Sequence, residues 1–171
     1  YDYPSIFTEL ALKYCGECLQ KPDANGMLPL HLACARKGAD TPNSTFREHN
    51  ANANSPVREA PPSDALAMKI LKKYQRASAF PAGNTKRLAL HFAVETRKPL
   101  SFIAALIRTY PRSLNIPDPV TKLWPYVLAG VHNNDPSSEN ESLSISFSLL
   151  RADPSVLHLV RKNYSVSNLN D

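Results

Sequence analysis

Apolar residues recur at helical spacing in three segments of the chain. Segment 63–76 carries apolar side chains at i, i+4, i+5 and i+8, and segment 101–110 repeats this arrangement. Ser63 and Asp64 provide an N-cap for the first of these segments. A third segment, 143–154, contains β-branched and aromatic residues that also suit a strand, but its alignment with the other two favours a helix. The pattern therefore predicts an all-α fold.

In the three predicted helices, two apolar residues followed by a basic residue take equivalent places. We expect all six apolar side chains to be buried between neighbouring helices: Ile70, Leu71, Leu106, Ile107, Leu149 and Leu150. The basic residues that follow the first two pairs, Lys72 and Arg108, should then point to solvent.

Two polar segments interrupt the helical pattern. The segment 38–62 is rich in proline and asparagine and shows neither a helical nor a strand period, which is typical of a solvated loop. The segment 132–142, HNNDPSSENES, is polar as well. Both are predicted to be loop insertions.

The chain also contains an internal repeat. LPLHLA at 28–33 is followed by LALHFA at 88–93 and by WPYVLA at 124–129, so the spacings are 60 and 36 residues. Tyrosines that precede these hexapeptides keep the same two spacings: Tyr14, Tyr74 and Tyr110. Agreement between two independent landmarks indicates a repeated structural unit.

Around the first hexapeptide, the sequence DANGMLPLHLA at 23–33 resembles the ankyrin-repeat family. The pattern of that family is Asp, two residues, Gly, one residue and then Thr-Pro-Leu-His-x-Ala, and only Leu28 departs from it here. In the second unit Gly83 and Lys86 take the Asp and Gly positions. In the third unit Val127 replaces the histidine, and this unit looks like a divergent terminal unit of an algal type of ankyrin protein.

The resemblance implies an ankyrin-type α-solenoid of about 3.5 helix-turn-helix repeats, with the two polar loops inserted in it. The implied units are 5–22, 23–82, 83–118 and 119–160, with a tail over 161–171. In the family, the threonine hydroxyl bonds to the histidine, and Leu28, Leu88 and Trp124 remove that bond. Burial of these larger side chains, at about 1.5–3 kcal/mol each, would offset a net hydrogen bond of about 1 kcal/mol.

Cysteine and histidine residues leave a second interpretation open. Cys15, Cys18, His31 and Cys34 have the ligand types and nearly the spacing of a small zinc site, and the CxxC pair also suits redox chemistry. The resemblance instead implies a structural histidine at His31, and His91 repeats this histidine with no cysteines around it. We therefore expect structural or incidental thiols with no metal or cofactor, and a zinc- or thiol-dependent regulator stays as an alternative.

Composition bounds the function classes. A chain of 171 residues that is 43 % apolar and 20 % charged fits a single globular domain over 1–171. Three cysteines are too few for a disulfide framework, which favours a reducing, intracellular compartment without naming it. No apolar run approaches the roughly 18 residues of a membrane span. Because the sequence begins with Tyr1, we expect a processed or truncated piece.

Motifs for phosphate binding, nucleophilic catalysis and metalloprotease chemistry are missing from the sequence, so we do not expect an enzyme.

Basic residues are concentrated in one part of the chain. Lys and Arg number 20 against 15 Asp and Glu, a net charge of +5. The segment 69–112 holds ten basic residues and one acid, Glu95. Such a stretch is compatible with a solvated outer helix face or with docking of an acidic protein or phosphate-bearing surface.

These observations predict a non-enzymatic protein-interaction module or a scaffold subunit of a larger assembly, whose protein partner has an acidic surface. The alternative is a basic module that contacts nucleic acid or anionic surfaces, although nucleic acid is the less expected partner. The resemblance implies binding through the turn tips and the ends of the first helices. The corresponding residues are Asn25, Met27, Lys86, Arg87, Lys122 and Trp124 at turns, and Arg36, Lys37, Arg97 and Lys98 at helix ends.

Overall fold

The computed structural model describes residues 16–36, 63–131 and 139–155. These residues form six α-helices: α1 (Pro29–Ala35), α2 (Ser63–Lys73), α3 (Ala89–Glu95), α4 (Leu100–Thr109), α5 (Pro125–Val131) and α6 (Glu139–Ala152). Three short 3-10 helices accompany them: η1 (Gly16–Gln20), η2 (Gln75–Ala79) and η3 (Pro111–Asn115). The described ranges contain no β-strand beyond one isolated bridge between Ala82 and Arg87, so the all-α prediction is confirmed.

The helices form three pairs, which we call unit 1 (α1 and α2), unit 2 (α3 and α4) and unit 3 (α5 and α6). The two helices of each pair contact each other. The first helices form a row in which α3 contacts both α1 and α5, and α2 contacts α4 behind that row. The fold is therefore a side-by-side arrangement of repeated helix pairs.

The core lies between the two rows of helices. Leu30, Leu90 and Leu128, one from each first helix, are at most 1 % exposed. Of the six apolar side chains expected to be buried, four are: Ile70, Leu71, Leu106 and Leu149. Ile107 and Leu150 are half-buried, although the equivalent Leu71 is buried. Lys72 and Arg108 are exposed as predicted.

Histidines fix the start of the first helix in units 1 and 2. The Nδ1 atom of His31 accepts a hydrogen bond from the Leu28 backbone N–H at 3.0 Å, and His91 does the same for Leu88 at 3.1 Å. These bonds satisfy amide groups that would otherwise lack a partner at the helix start. Leu28 and Leu88 are themselves buried, at 1 % and 4 % exposure, so packing takes the place of the missing threonine hydroxyl as predicted.

Each histidine also reaches the next segment of the chain. Nε2 of His31 lies 2.9 Å from the Phe80 carbonyl oxygen, and Nε2 of His91 lies 3.0 Å from that of Ile116. Since Nδ1 accepts, Nε2 must carry the proton and donate it to the carbonyl. We call the two hydrogen bonds of each histidine, one at Nδ1 and one at Nε2, the histidine clamp. Burial lowers the pKa of both imidazoles below the ordinary value, although the bonds to the carbonyl oxygens act in the opposite direction.

Three turns project from the stack at equivalent places, and we call them tip 1 (23–27), tip 2 (82–87) and tip 3 (118–123). Each is closed by a backbone hydrogen bond from its first residue to the carbonyl of its last. Each also holds one residue in the left-handed backbone region at the same repeat position: Gly26 (φ 73°), Lys86 (φ 55°) and Lys122 (φ 62°). The sequence spacings of 60 and 36 residues thus correspond to one recurring turn geometry.

The second polar segment was predicted as a loop over 132–142, and this prediction is wrong at its end. α6 begins at Glu139, so residues 139–142 are helical. The segment has no proline after Pro136, and glutamate is a good helix former that suits a first turn. Residues 132–138 and the predicted insertion 38–62 lie outside the described residues.

Candidate interaction surface

The exposed residues of the tips form a first candidate surface. Asn25, Lys86 and Lys122 are exposed, one on each tip. In tip 1 the Asp23 carboxylate accepts hydrogen bonds from the backbone N–H groups of Asn25 and Met27, at 2.9 and 2.8 Å, and thereby fixes the shape of the turn. The tips therefore present one polar or cationic side chain per unit.

Two further tip residues predicted to bind a partner are only half-exposed. Met27 and Trp124 both pack partly against the hydrophobic core. At the helix ends, Arg36 is exposed and Arg97 is half-buried, with a φ of 55°. Lys37 lies outside the described residues. Of the predicted contact residues that the structure describes, Asn25, Arg36, Lys86 and Lys122 are the accessible ones.

Arg87 was predicted to contact a partner, and the structure buries it instead, at 7 % exposure. Its Nε and Nη2 atoms each lie 2.9 Å from a carboxylate oxygen of Asp118, and its Nη1 lies 2.7 Å from Oε2 of Glu95. The guanidinium also stacks over the Phe92 ring, 4.6 Å from its centroid. Arg87 therefore joins tip 2, α3 and tip 3, and it is not available to a partner.

Asp118 is the acceptor of this network and is fully buried. Burial alone would raise its pKa, but hydrogen bonds from the Val120 N–H and the Thr121 hydroxyl, together with the charge of Arg87, lower the pKa below the ordinary value. The carboxylate thus stays charged where its partners need it. No sequence signal indicated this role, because the ankyrin alignment places Pro119 rather than Asp118 at the aspartate position of the turn.

Lys98 was also predicted to contact a partner, and it too is buried, at 1 % exposure. Its Nζ lies 2.8 Å from Oδ1 of Asp64 in the first turn of α2. Nearby, the Thr96 hydroxyl donates a hydrogen bond of 2.7 Å to the Cys34 carbonyl oxygen. Both contacts hold the end of α3 against unit 1, so Lys98 is a structural residue here.

Units 1 and 2 are joined at their tips by two glycines. The Gly83 N–H donates a hydrogen bond of 2.8 Å to the Gly26 carbonyl oxygen. A Cβ atom on Gly26 would lie 2.6 Å from the Gly83 Cα, and one on Gly83 would overlap the Asn25 carbonyl oxygen. Both glycines also have positive φ. The backbones therefore approach too closely for any side chain.

The predicted zinc and redox residues do not form a metal centre. Both imidazole nitrogens of His31 are used by the histidine clamp. Cys34 is fully buried, and burial raises the pKa of its thiol to about 12, so it is neither a thiolate ligand nor a nucleophile at neutral pH. Cys18 is disulfide-bonded, whereas we expected a free thiol at this position. Cys15 lies outside the described residues, and no metal-binding cluster occurs within those that are described.

A second surface is strongly basic. It lies on the exposed side of α2, η2, α4 and η3, and we call it the outer basic face: Lys69, Lys72, Lys73, Arg76, Arg108 and Arg112 are all exposed. The one acid of this part of the chain, Glu95, is paired with Arg87. Lys72 and Arg108 are 36 residues apart, as are Arg76 and Arg112, so the cations recur at the repeat spacing.

The described helices are all too short or too polar to span a membrane. Comparison of the chain with protein-family models, with curated proteins and with solved structures gave no match. The function is therefore inferred from the residues and their geometry.

Proposed function

We propose that this chain is an ankyrin-type α-solenoid that acts as a non-enzymatic protein-interaction module. The repeated histidine clamp supports this assignment, because the same pair of hydrogen bonds recurs within units 1 and 2. The equivalent tips support it too, since each has a left-handed residue at the same repeat position. Repeats of this kind bury their faces on their neighbours and leave the turns and outer faces free for partners.

The proposal that this chain binds a partner rests on two lysines at the left-handed positions of tips 2 and 3. Lys86 and Lys122 are exposed, with φ of 55° and 62°, where tip 1 has glycine. A non-glycine residue in this region is strained by about 1–2 kcal/mol, and such strain is retained where the side chain has a use. Neither the core nor an ion pair explains these two lysines, so we infer that they meet a partner.

The partner we propose is a protein with an acidic surface. Neighbouring packed helices are about 8–10 Å apart, so adjacent tips would present their lysines at a similar interval along the stack. Asn25, the exposed side chain of tip 1, extends this row of tips to unit 1. Opposite charge on the partner would accelerate association and fix its orientation.

The outer basic face favours a second candidate function, binding to nucleic acid or another anionic surface. Six exposed cations on α2, η2, α4 and η3 would neutralise several phosphates. Salt separates the two functions, because phosphate binding weakens log-linearly with salt concentration, whereas an interface with an apolar centre depends on it far less.

The test is affinity capture with the full chain from nuclease-treated extract of the source cells, followed by quantitative mass spectrometry. We expect the double variant Lys86→Glu, Lys122→Glu to recover at least about tenfold less of an acidic protein partner. The matched control is Arg151→Glu, an exposed charge reversal on α6, which should recover as much as the unchanged chain. Equal recovery by all three proteins would exclude the tips as the binding surface.

A further inference from the structure

An open cleft lies within the outer basic face, between the end of unit 1 and the last turn of α4. Its volume is about 510 Å³. The lining residues that matter for its chemistry are Tyr74, Arg76, Ala79, Phe80 and Thr109. Phe80 is 43 % exposed, and Tyr74 is half-buried beside it. The cleft therefore offers two aromatic side chains with an arginine beside them.

The serine and threonine hydroxyl groups of the cleft are already used as donors. The Ser78 hydroxyl donates to the Gln75 carbonyl oxygen at 2.7 Å, and the Thr109 hydroxyl donates to that of Leu106 at 2.8 Å. A ligand with a polar edge, such as a nucleobase, would receive no hydrogen bond from these two hydroxyl groups. An apolar side chain needs no such bond, so the cleft suits an aromatic or large aliphatic side chain better.

The charge around the cleft has one sign. Arg76 lines the cleft itself, Arg108 immediately precedes Thr109, and Arg112 repeats Arg76 in the next unit. One cation in the last turn of a helix is accounted for by the helix dipole, and this explains Lys72 in α2 and Arg108 in α4. It does not account for Arg76 and Arg112, which lie in five-residue 3-10 helices with small dipoles.

We infer that this cleft is a docking site for a short acidic peptide segment of a partner protein. An aromatic or large aliphatic side chain of the segment inserts between Tyr74 and Phe80, and carboxylates on either side of it pair with Arg76 and with Arg108 or Arg112. A flat anionic membrane could meet the cations but could not fill the cleft. The inference rests on the proposed function, but it places a specific contact on the outer basic face and not on the tips.

Selection from a random peptide library displayed on phage, with the full chain as bait, tests the docking site. The expected result is enrichment of peptides that combine an aromatic or large aliphatic residue with neighbouring Asp or Glu. Enriched peptides without acidic residues, without an apolar residue, or no enrichment at all would each overturn the inference.

Binding of an enriched peptide, labelled for fluorescence anisotropy, is then measured on variants. We expect Arg76→Glu and Phe80→Ala each to raise Kd at least about tenfold, which is typical for central contact residues. Arg151→Glu, the matched charge reversal away from the cleft, should change Kd less than about twofold. Thermal unfolding of each variant shows whether a loss of binding reflects a loss of folding. If Phe80→Ala is unfolded, the Kd of Arg76→Glu alone decides the test.

Two further arms separate this site from the other possibilities. If Lys86→Glu with Lys122→Glu abolishes peptide binding and Arg76→Glu does not, the tips bind the peptide, so the proposed function stands and the cleft is rejected. If single-stranded RNA of equal charge displaces the peptide at 150 mM salt with equal or higher affinity, nucleic acid is the ligand and the cleft is rejected as a peptide site. Retention of the peptide against RNA supports the inference.

Discussion

The two junctions between units join similar turns by opposite chemistry. Between units 1 and 2, Gly26 and Gly83 bring two backbones into direct contact. Between units 2 and 3, Arg87 and Asp118 place a buried ion pair at the corresponding place. The histidine clamp inside units 1 and 2, by contrast, is the same in both, and its two bonds differ between the units by no more than 0.1 Å.

The comparison shows which part of the repeat is fixed and which part is free to vary. The clamp recurs in units 1 and 2 because it satisfies backbone groups at the start of the first helix, and the left-handed residue recurs in all three tips. The contact between tips only has to fill the space between them, and either glycine backbones or paired charges can do so. The first solution excludes side chains, whereas the second requires two particular ones.

The largest expected effect comes from breaking the ion pair. Asp118→Ala leaves the Arg87 guanidinium buried beside a single remaining carboxylate, and we expect a loss of about 3–5 kcal/mol in the free energy of unfolding. The matched control is Asp23→Ala, which removes the exposed counterpart in tip 1 and should cost about 1 kcal/mol. Urea unfolding followed by circular dichroism measures both. Equal losses of unfolding free energy would mean that the buried ion pair stabilises the fold no more than the exposed Asp23 does.

The next effect concerns the glycine junction. Gly83→Ala adds a Cβ that overlaps the Asn25 carbonyl oxygen at a positive φ, so strain and overpacking together should cost about 2–4 kcal/mol. Gly130→Ala makes the same change inside α5, where the nearest atom would be 3.8 Å away. Because alanine favours helices, this control should be neutral or stabilising by up to about 1 kcal/mol. A stable Gly83→Ala variant would show that the tips can separate without loss.

Acid should weaken the histidine clamps and the buried ion pair in different pH ranges. A histidine with a lowered pKa binds fewer protons in the folded state than when unfolded, so both clamps contribute fully above about pH 6.5 and lose stability as the pH falls below it. The lowered pKa of Asp118 gives a further loss below about pH 3.8, in the second junction alone. Unfolding free energies measured from pH 8 to pH 3 test both ranges.

In the variant Asp118→Asn, the loss attributed to Asp118 should disappear from the pH profile while the histidine range is unchanged. Long-range ¹⁵N–¹H spectra should show both imidazoles neutral and protonated on Nε2 at pH 7. An imidazolium at either position would contradict the hydrogen-bond assignment of the clamp.

The smallest effect is expected at the left-handed lysines. Lys86→Gly and Lys122→Gly relieve backbone strain but give the unfolded chain more freedom, and the two terms should nearly cancel, within about 0.5 kcal/mol. Thermal unfolding of each single variant provides the measurement. A loss above about 1 kcal/mol would mean that these lysines hold the fold together, and the argument that they serve a partner would fail.

Sequence reasoning succeeded where the structure follows a local period. The helix positions, the burial of Leu106 and the exposure of Arg108 all follow from apolar spacing. It failed where a charge is buried by a distant partner. Arg87 and Asp118 are 31 residues apart and Lys98 and Asp64 are 34 apart, so composition alone indicated exposed cations.

The two candidate surfaces also differ in whether the sequence could predict them. Exposed residues such as Lys86 and Lys122 could be found from the motif, because a turn tip is exposed whatever surrounds it. The cleft at Tyr74 and Phe80 could not, because it forms where the end of one unit meets α4 of the next. The helical start of 139–142 was missed because polar composition was given more weight than helix propensity.

The histidine clamp also sets an order for folding during synthesis. His31 bonds to a carbonyl 49 residues further along the chain, and His91 bonds to one 25 residues further along. At about 5–20 residues per second, the ribosome supplies the first carbonyl roughly 2–10 s after its histidine and the second roughly 1–5 s after. The histidine of each nascent unit therefore keeps an unpaired Nε2 hydrogen until the carbonyl at the end of its own unit is synthesised, and unit 1, whose wait includes the whole segment 38–62, is exposed to chaperones and misfolding for the longer time.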